Sequence, residues 1–159
     1  MNKSITNFTA ADEYLELSSV TTYQSGVVQS AAFRNLKKHT DDCLREHGLT
    51  TMQWFIIGTV YDAGDNGIRI TELAKLVGTT LGFLTNSINL LESKGMLTRA
   101  GDNKDSRAKL VYVSASYRKT CKIIEKDLRA KLRLSIYSKV TPAELRVYVN
   151  VLYKFANLG

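Results

Sequence analysis

Between residues 70 and 114 the spacing of apolar side chains changes once, and that change limits the fold more than any other feature of the chain. Two helical patterns come first. Thr71 can cap "TELAKLV", which Gly78 ends, and Thr79 or Thr80 can cap a second helix running to about Lys94 and Gly95. In that second helix Leu84, Ile88 and Leu91 recur at helical intervals. From Met96 the helical period is gone. Met96-Leu97-Thr98-Arg99 suits a short strand, and in "AKLVYVS" (108–114) Leu110 and Tyr112 alternate with Lys109, Val111 and Val113. The residues between, "AGDNKDSR" (100–107), are rich in turn formers. Two helices joined by a tight turn and followed at once by a β-hairpin make a winged helix-turn-helix, the hairpin being the wing.

The flanks are helical. Residues 22–47 read as one long helix, with Val28, Ala32 and Leu36 four apart, Ala31, Phe33, Cys43 and Leu44 widening the stripe, and Gly48 as its stop. Thr50 to Gln53 is a capping-box pattern opening a helix that carries Trp54, Ile57, Val60 and Tyr61; "DAGDNG" (62–67) breaks it. Ile68-Arg69-Ile70 has room only for a tiny strand. Residues 116–138 form a basic helix with Ile123, Ile124, Leu128, Leu132 and Ile136 as its apolar stripe. Thr141-Pro142-Ala143-Glu144 is a second capping box with proline at the first helical position, and the helix it opens sets Leu145, Tyr148, Val149, Leu152 and Phe155 on one side. Residues 1–21 are ambiguous, an arm with a short helix around Tyr14, Leu15 and Leu17. The expected class is mainly α: a winged helix-turn-helix with a small β-hairpin wing, flanked by N- and C-terminal dimerisation helices. The expected divisions are 1–48 for the arm and first dimerisation helix, 49–115 for the winged helix, and 116–159 for the C-terminal helices.

Several function classes drop out. No apolar run approaches the roughly 18 residues that span a bilayer, and "MNKSITNFTAADEY" lacks the apolar centre of a signal peptide. The expected location is cytoplasmic, with no membrane partner. Cys43 and Cys121 are too few for a disulfide framework. No nucleophile–base set, phosphate loop or dinucleotide fingerprint is present, so neither an enzyme nor a cofactor is expected. His39, Cys43 and His47 lie at i, i+4, i+8 on one helix, but His39 and His47 are then about 12 Å apart, too far to share one ion, and no metal is expected. Cys121 lies near Arg118, Lys122 and Lys126, a setting that lowers a thiol pKa, and a redox sensor is one alternative reading. Tyr23, Trp54, Tyr61 and Tyr117 are candidates to line an aromatic-binding pocket.

Charge is uneven. Residues 1–93 hold 7 basic and 10 acidic residues, whereas residues 94–133 hold 12 and 4; the basic balance of the chain, +7 overall, lives in that second block. Such a block is either a solvated face or a surface for phosphates. The second helix of the helix-turn-helix lies outside it, and from Leu76 to Ser93 there is no Lys, Arg or His. A helix placed to read a polyanion without a positive charge needs its cations supplied from elsewhere.

"GLTTMQWFIIGTV" (48–60), "ITELAKLVG" (70–78), "LLESKGML" (90–97) and "DSRAKLVYVS" (105–114), with its Asp105-x-Arg107 pair, together resemble the multiple antibiotic resistance regulator (MarR) family, without obvious gaps from Gly48 to Ser114. The resemblance implies cytoplasmic homodimeric transcription regulators, often repressors, whose first and last helices entwine two subunits. It also implies binding to double-stranded DNA at a pseudo-palindromic site and, for many members, release by small phenolic molecules. A small aromatic effector is therefore an implied partner. The alternatives are a winged-helix module that uses its basic block for an acidic protein in place of DNA, and a redox or metal sensor.

In such an arrangement phosphate contacts supply most of the affinity and base contacts the reading. Arg99, Lys104, Arg107 and Lys109 belong to the wing, and Arg118 and Lys119 begin the helix behind it; Asp105 accompanies Arg107. On the reading helix, Thr80 is either a cap or a phosphate contact, and Gly82 lets the backbone approach. Thr85 or Leu81 can meet a thymine methyl, and Asn86 and Asn89 can bond adenine bidentately. Leu81 and Phe83 are expected to pack rather than touch bases. The half-sites should be A·T-rich.

Overall fold

The computed structural model describes residues 21–102 and 105–157, with side chains other than those of residues 102–107. The arm expected around Tyr14, Leu15 and Leu17 lies outside these. The chain divides into two units, up to Leu36 and from Lys37 onward. Of the first unit the structure describes the N-terminal part of helix α1 (Thr22–Arg45). Its expected stripe is largely bare: Val28 and Phe33 are 42% and 66% exposed.

The second unit begins with the end of α1, where Leu44 is buried, and continues through α2 (Thr51–Asp62), a 3-10 turn (Gly64–Asn66), β1 (Ile68–Arg69), α3 (Ile70–Val77) and α4 (Leu81–Ser93). The wing strands β2 (Leu97–Asp102) and β3 (Asp105–Val113) follow, then α5 (Arg118–Ser135) and α6 (Pro142–Ala156). The strands form one antiparallel sheet in the order β1-β3-β2. Mainly helical, with a small antiparallel wing, this is the fold class expected from the sequence.

Both capping boxes form. Thr50 accepts from the Gln53 N–H while Gln53 bonds back to the Thr50 N–H, and Thr141 and Glu144 do the same for α6. Of the two candidate caps for α4, Thr80 is the one used, accepting from the Phe83 N–H at 3.3 Å. The tight turn before it is set by Gly78, whose φ of +70° lets Thr79 N–H reach back to the Ala74 carbonyl at 3.0 Å. Thr71, by contrast, is not a cap. The helix starts one residue earlier at Ile70, behind Arg69, because β1 delivers the chain already extended and the half-buried Ile70 packs against the core.

Two strand expectations also change. The wing strands run further toward the tip than residues 96–99 and 108–114, taking in most of "AGDNKDSR". Pairing continues from Leu97↔Val113 through Gly101↔Lys109, and an irregularity between Gly101 and Asp102 absorbs the turn formers. Ladder hydrogen bonds here override local turn propensity. In β3 the valine side of the alternation is the inner one, with Val111 and Val113 buried and Lys109 exposed.

The core is continuous. Leu44, Ile56, Ile57, Leu73, Leu84, Ile88 and Leu91 are fully buried, with Leu97 and Val111 beneath the wing and Ile124 from α5. On α5 the buried stripe is Cys121, Ile124 and Leu128; Ile123 points out at 56% exposure, since one turn of helix cannot place both neighbours inward. Helix α6 has no buried residue.

Gly67 joins the 3-10 turn to β1 at φ +65°, ψ −179°, a region open essentially to glycine alone. A Cβ there would also stand 2.6 Å from two ring atoms of Tyr112. Gly67→Ala should therefore destabilise the fold by about 1–3 kcal/mol, read as a lower denaturation midpoint without a change in slope.

Asp41, near the end of α1, accepts from both the N–H (2.9 Å) and the hydroxyl (2.6 Å) of Thr51 at the start of α2, and pairs with Lys37. Burial works to raise its carboxyl pKa, but the bonds from Lys37 and Thr51 outweigh it and hold the value at about 2. A depressed carboxylate stabilises the fold above its unfolded pKa of about 4, and the contribution disappears as pH falls toward 2. Acid titration of stability should show Asp41→Asn flatter than the parent between those limits, with the two converging at the acid end and differing by about 1–2 kcal/mol near neutrality.

Candidate nucleic-acid interface

The candidate reading surface is defined by what α4 buries. With Leu84, Ile88 and Leu91 at 0% exposure, the helix has no freedom to rotate, and Gly82, Thr85, Asn86 and Asn89 are held on its exposed surface. Leu81 and Phe83 join them at 50% and 49% exposure. This corrects the expectation that those two pack: about half of each side chain stays outside, because the buried stripe of α4 is the Leu84, Ile88 and Leu91 face. A Cβ on Gly82 would meet nothing within 4 Å, so the backbone there is open from outside.

The polar residues on this face differ in what they have left to offer. Thr80 Oγ1 is engaged as the helix cap. The Thr85 hydroxyl donates to the Leu81 carbonyl at 2.8 Å, a bond internal to the helix. Asn86 is exposed and its side chain makes no hydrogen bond among the described residues. Asn89 Oδ1 accepts from Arg99 Nη1 at 2.8 Å. Arg99, on β2, also donates from Nη1 to Glu92 of α4, and its side chain is only 19% exposed. Its Nε and Nη2 are buried and have no partner among the described residues.

The basic block 94–133 is partly neutralised. Arg118 Nη2 reaches the Gly64 carbonyl (3.3 Å) and Asp65 (3.2 Å). Arg129 pairs with Glu125, and Lys131 with Glu46 and Asp127. Lys94, Lys109 and Lys119 are exposed and form no ion pair among the described residues. Lys104 lies outside the described residues, and of Asp105 and Arg107 only the backbone, the start of β3, is described.

The other candidate chemistries find different settings. Burial pushes the Cys121 thiol up to about 11, against the lowering expected from nearby cations; Arg118 works in that direction but is outweighed. The Cys43 thiol is raised as well, chiefly by burial. His47 Nε2 lies 2.8 Å from Asp127 Oδ2, across the junction of α1 and α5. Bonds from Lys131 and His47 lower the Asp127 pKa. Among the described residues no three metal-ligating side chains converge. Trp54 and Tyr61 line a cleft of about 370 Å³ between α2 and α5, together with Ile57, Cys121 and Arg129. Tyr117 does not line that cleft, and Tyr23 is 70% exposed.

The register of Asn89 against Arg99 was beyond sequence reasoning. The two are ten residues apart on different elements, and only the fold of β2 against the end of α4 brings them together. The signal that existed was the pairing of Glu92 with a strand arginine at the base of the wing.

A reading helix anchored on its inner face, a capped tight turn and an antiparallel wing define the winged helix-turn-helix class. More particularly, residues 47–108 match the model of the MarR family. The fold is similar to that of Sco3205, a MarR family transcriptional regulator from Streptomyces coelicolor solved in complex with DNA (TM-score 0.75, 20% identity, covering 86% of this chain and 91% of that one). It is similar as well to the S. aureus MepR–DNA complex (0.70, 20%, 86% and 97%). A third likeness is to CouR from Rhodococcus jostii RHA1 bound to p-coumaroyl-CoA (0.75, 16%, 84% and 92%). At these identities the likeness carries the fold alone. No curated protein matches in sequence. Among the described residues no helix is long and apolar enough to cross a membrane.

Proposed function

We propose that this chain is a sequence-specific DNA-binding transcription regulator, acting as a homodimeric repressor on a pseudo-palindromic operator. The observation that carries the reading is the exposed, uncharged face of α4, held rigid by three fully buried side chains and flanked by a basic wing. A face of that size and polarity fits the major groove, where hydrogen-bonding groups and methyls read base edges. The cations come from the wing, with Lys104, Arg107 and Lys109 on backbone phosphates and Asp105 beside Arg107. Thr80 at the helix N-terminus is a further phosphate contact. Gly82 admits close approach, and Thr85 offers its methyl to thymine. Asn86 reads an A·T pair.

The exposed apolar side chains of α1 and α6 support the dimer. Val27, Val28 and Phe33 on the first, and Val147, Tyr153 and Phe155 on the last, are more than a soluble monomer leaves uncovered. Light scattering at low micromolar protein should give about twice the 17.8 kDa chain mass; a monomer would rule out the two-half-site model. The cleft with Trp54 and Tyr61 supports release by a small aromatic effector.

A salt titration separates affinity from reading. Arg107→Ala should weaken matched and scrambled duplexes by similar factors and flatten the log–log salt dependence by about 0.9 for each phosphate that the variant no longer neutralises. Asn86→Ala should leave the slope unchanged and lose discrimination at one position per half-site, about 1–3 kcal/mol for each base pair read. If neither variant alters binding, the basic block serves an acidic protein instead.

A further inference from the structure

The contact between Arg99 and Asn89 decides which end of the Asn89 amide faces outward. A guanidinium has donors only, so the atom of Asn89 turned toward it must be the carbonyl oxygen. The usual ambiguity of an asparagine side chain is thus resolved by chemistry. Glu92 holds the same Arg99 nitrogen from the other side, and the remaining guanidinium nitrogens are buried, so Arg99 is not free to reach a phosphate from this position. With Oδ1 turned toward Arg99, the end of the Asn89 amide directed away from it is the NH2 group, which has no partner among the described residues, on a residue exposed on the same helix as Asn86.

We propose that Arg99 is a positioning residue that turns Asn89 into a one-way hydrogen-bond donor, so that this position of the operator reads guanine rather than adenine. The proposal rests on the DNA-binding reading above. Bidentate recognition of adenine needs the amide oxygen at the N6 amino group and the amide nitrogen at N7 together; Asn89 Oδ1 keeps a second lone pair, but it is turned toward the largely buried Arg99 and not outward beside the NH2 group. Guanine presents two adjacent acceptors, O6 and N7, to the two hydrogens of one amide nitrogen. Thymine presents one acceptor, adenine sets its own donor beside N7, and cytosine offers only a donor. The order of preference is therefore guanine, thymine, adenine, cytosine. Arg99 then contributes neither affinity nor salt dependence, though it belongs to the basic block. The half-sites read A·T at Asn86 and G·C at Asn89, in place of A·T at both.

The test is selection of bound fragments from random duplex DNA by the parent, Asn89→Ala and Arg99→Met, followed by salt titration on the selected site. The parent should enrich guanine at one position of each half-site. Asn89→Ala, at an exposed position, should lose that preference by about 5- to 100-fold and no other. Arg99→Met frees the amide to turn, and the same position should move toward adenine with the salt slope unchanged. Adenine at that position in the parent overturns the proposal, as does an Arg99→Met protein that keeps guanine but has a flatter salt dependence. If Arg99→Met fails to fold, the base whose preference disappears on going from the parent to Asn89→Ala decides between guanine and adenine. Failure of the parent to select any sequence removes the DNA-binding reading and this proposal with it. Selection of an operator with adenine at this position removes this proposal alone.

Discussion

Burial of Leu84, Ile88 and Leu91 is the constraint on which the candidate interface depends. Each is fully enclosed, and withdrawing one such side chain from water contributes about 1.5–3 kcal/mol. Together they outweigh any local preference of the helix for another rotation. The apolar stripe thus acts on the opposite face, where Gly82, Asn86 and Asn89 have their directions fixed by residues they never touch. Thr80 and Gly78 set where the helix begins, and the stripe sets how it is turned.

The wing depends on that stripe in turn. Leu97 and Val111 close over the same core, so β2 and β3 leave it at a fixed angle to α4, and Arg99 comes within reach of Asn89 and Glu92. The uncharged exposed face of α4 and the basic residues of the wing thus belong to two elements that share one hydrophobic floor. An uncharged reading helix in a basic chain is then no contradiction. On the proposed DNA-binding reading, the helix avoids non-specific attraction to every phosphate and leaves the phosphates to cations of the wing.

Much of the fold was legible because it rests on periodicity and caps, which are local. The stripe of α4, both capping boxes and the order of helix, turn, helix and hairpin follow from spacing alone. What was not legible depended on partners far away in sequence. Thr71 looks like a cap, but the preceding strand pre-empts it. "AGDNKDSR" looks like a loop, but the ladder draws most of it into the strands. Cys121 has cationic neighbours in sequence, yet it sits inside the core, where loss of water matters more than nearby charge. Ile123 and Ile124 are equally apolar, and only the packing of α5 decides which one faces in. At the candidate site, residue types and faces could be read, but the state of each functional group could not: that the Thr85 hydroxyl donates to Leu81, or that the Asn89 oxygen is turned toward Arg99, is a property of three-dimensional neighbours.

Helix α6 is well punctuated and poorly anchored. Its capping box and proline define where it starts, but none of its 15 residues is buried within its own chain. A helix of that length in water is marginal on backbone bonds and caps alone. Its order therefore draws on whatever covers it, and by mass action the fraction of chains with this helix intact rises with the concentration of that covering partner. If that partner is the second copy of the proposed homodimer, the protein's own concentration enters the folding equilibrium of its C-terminal helix.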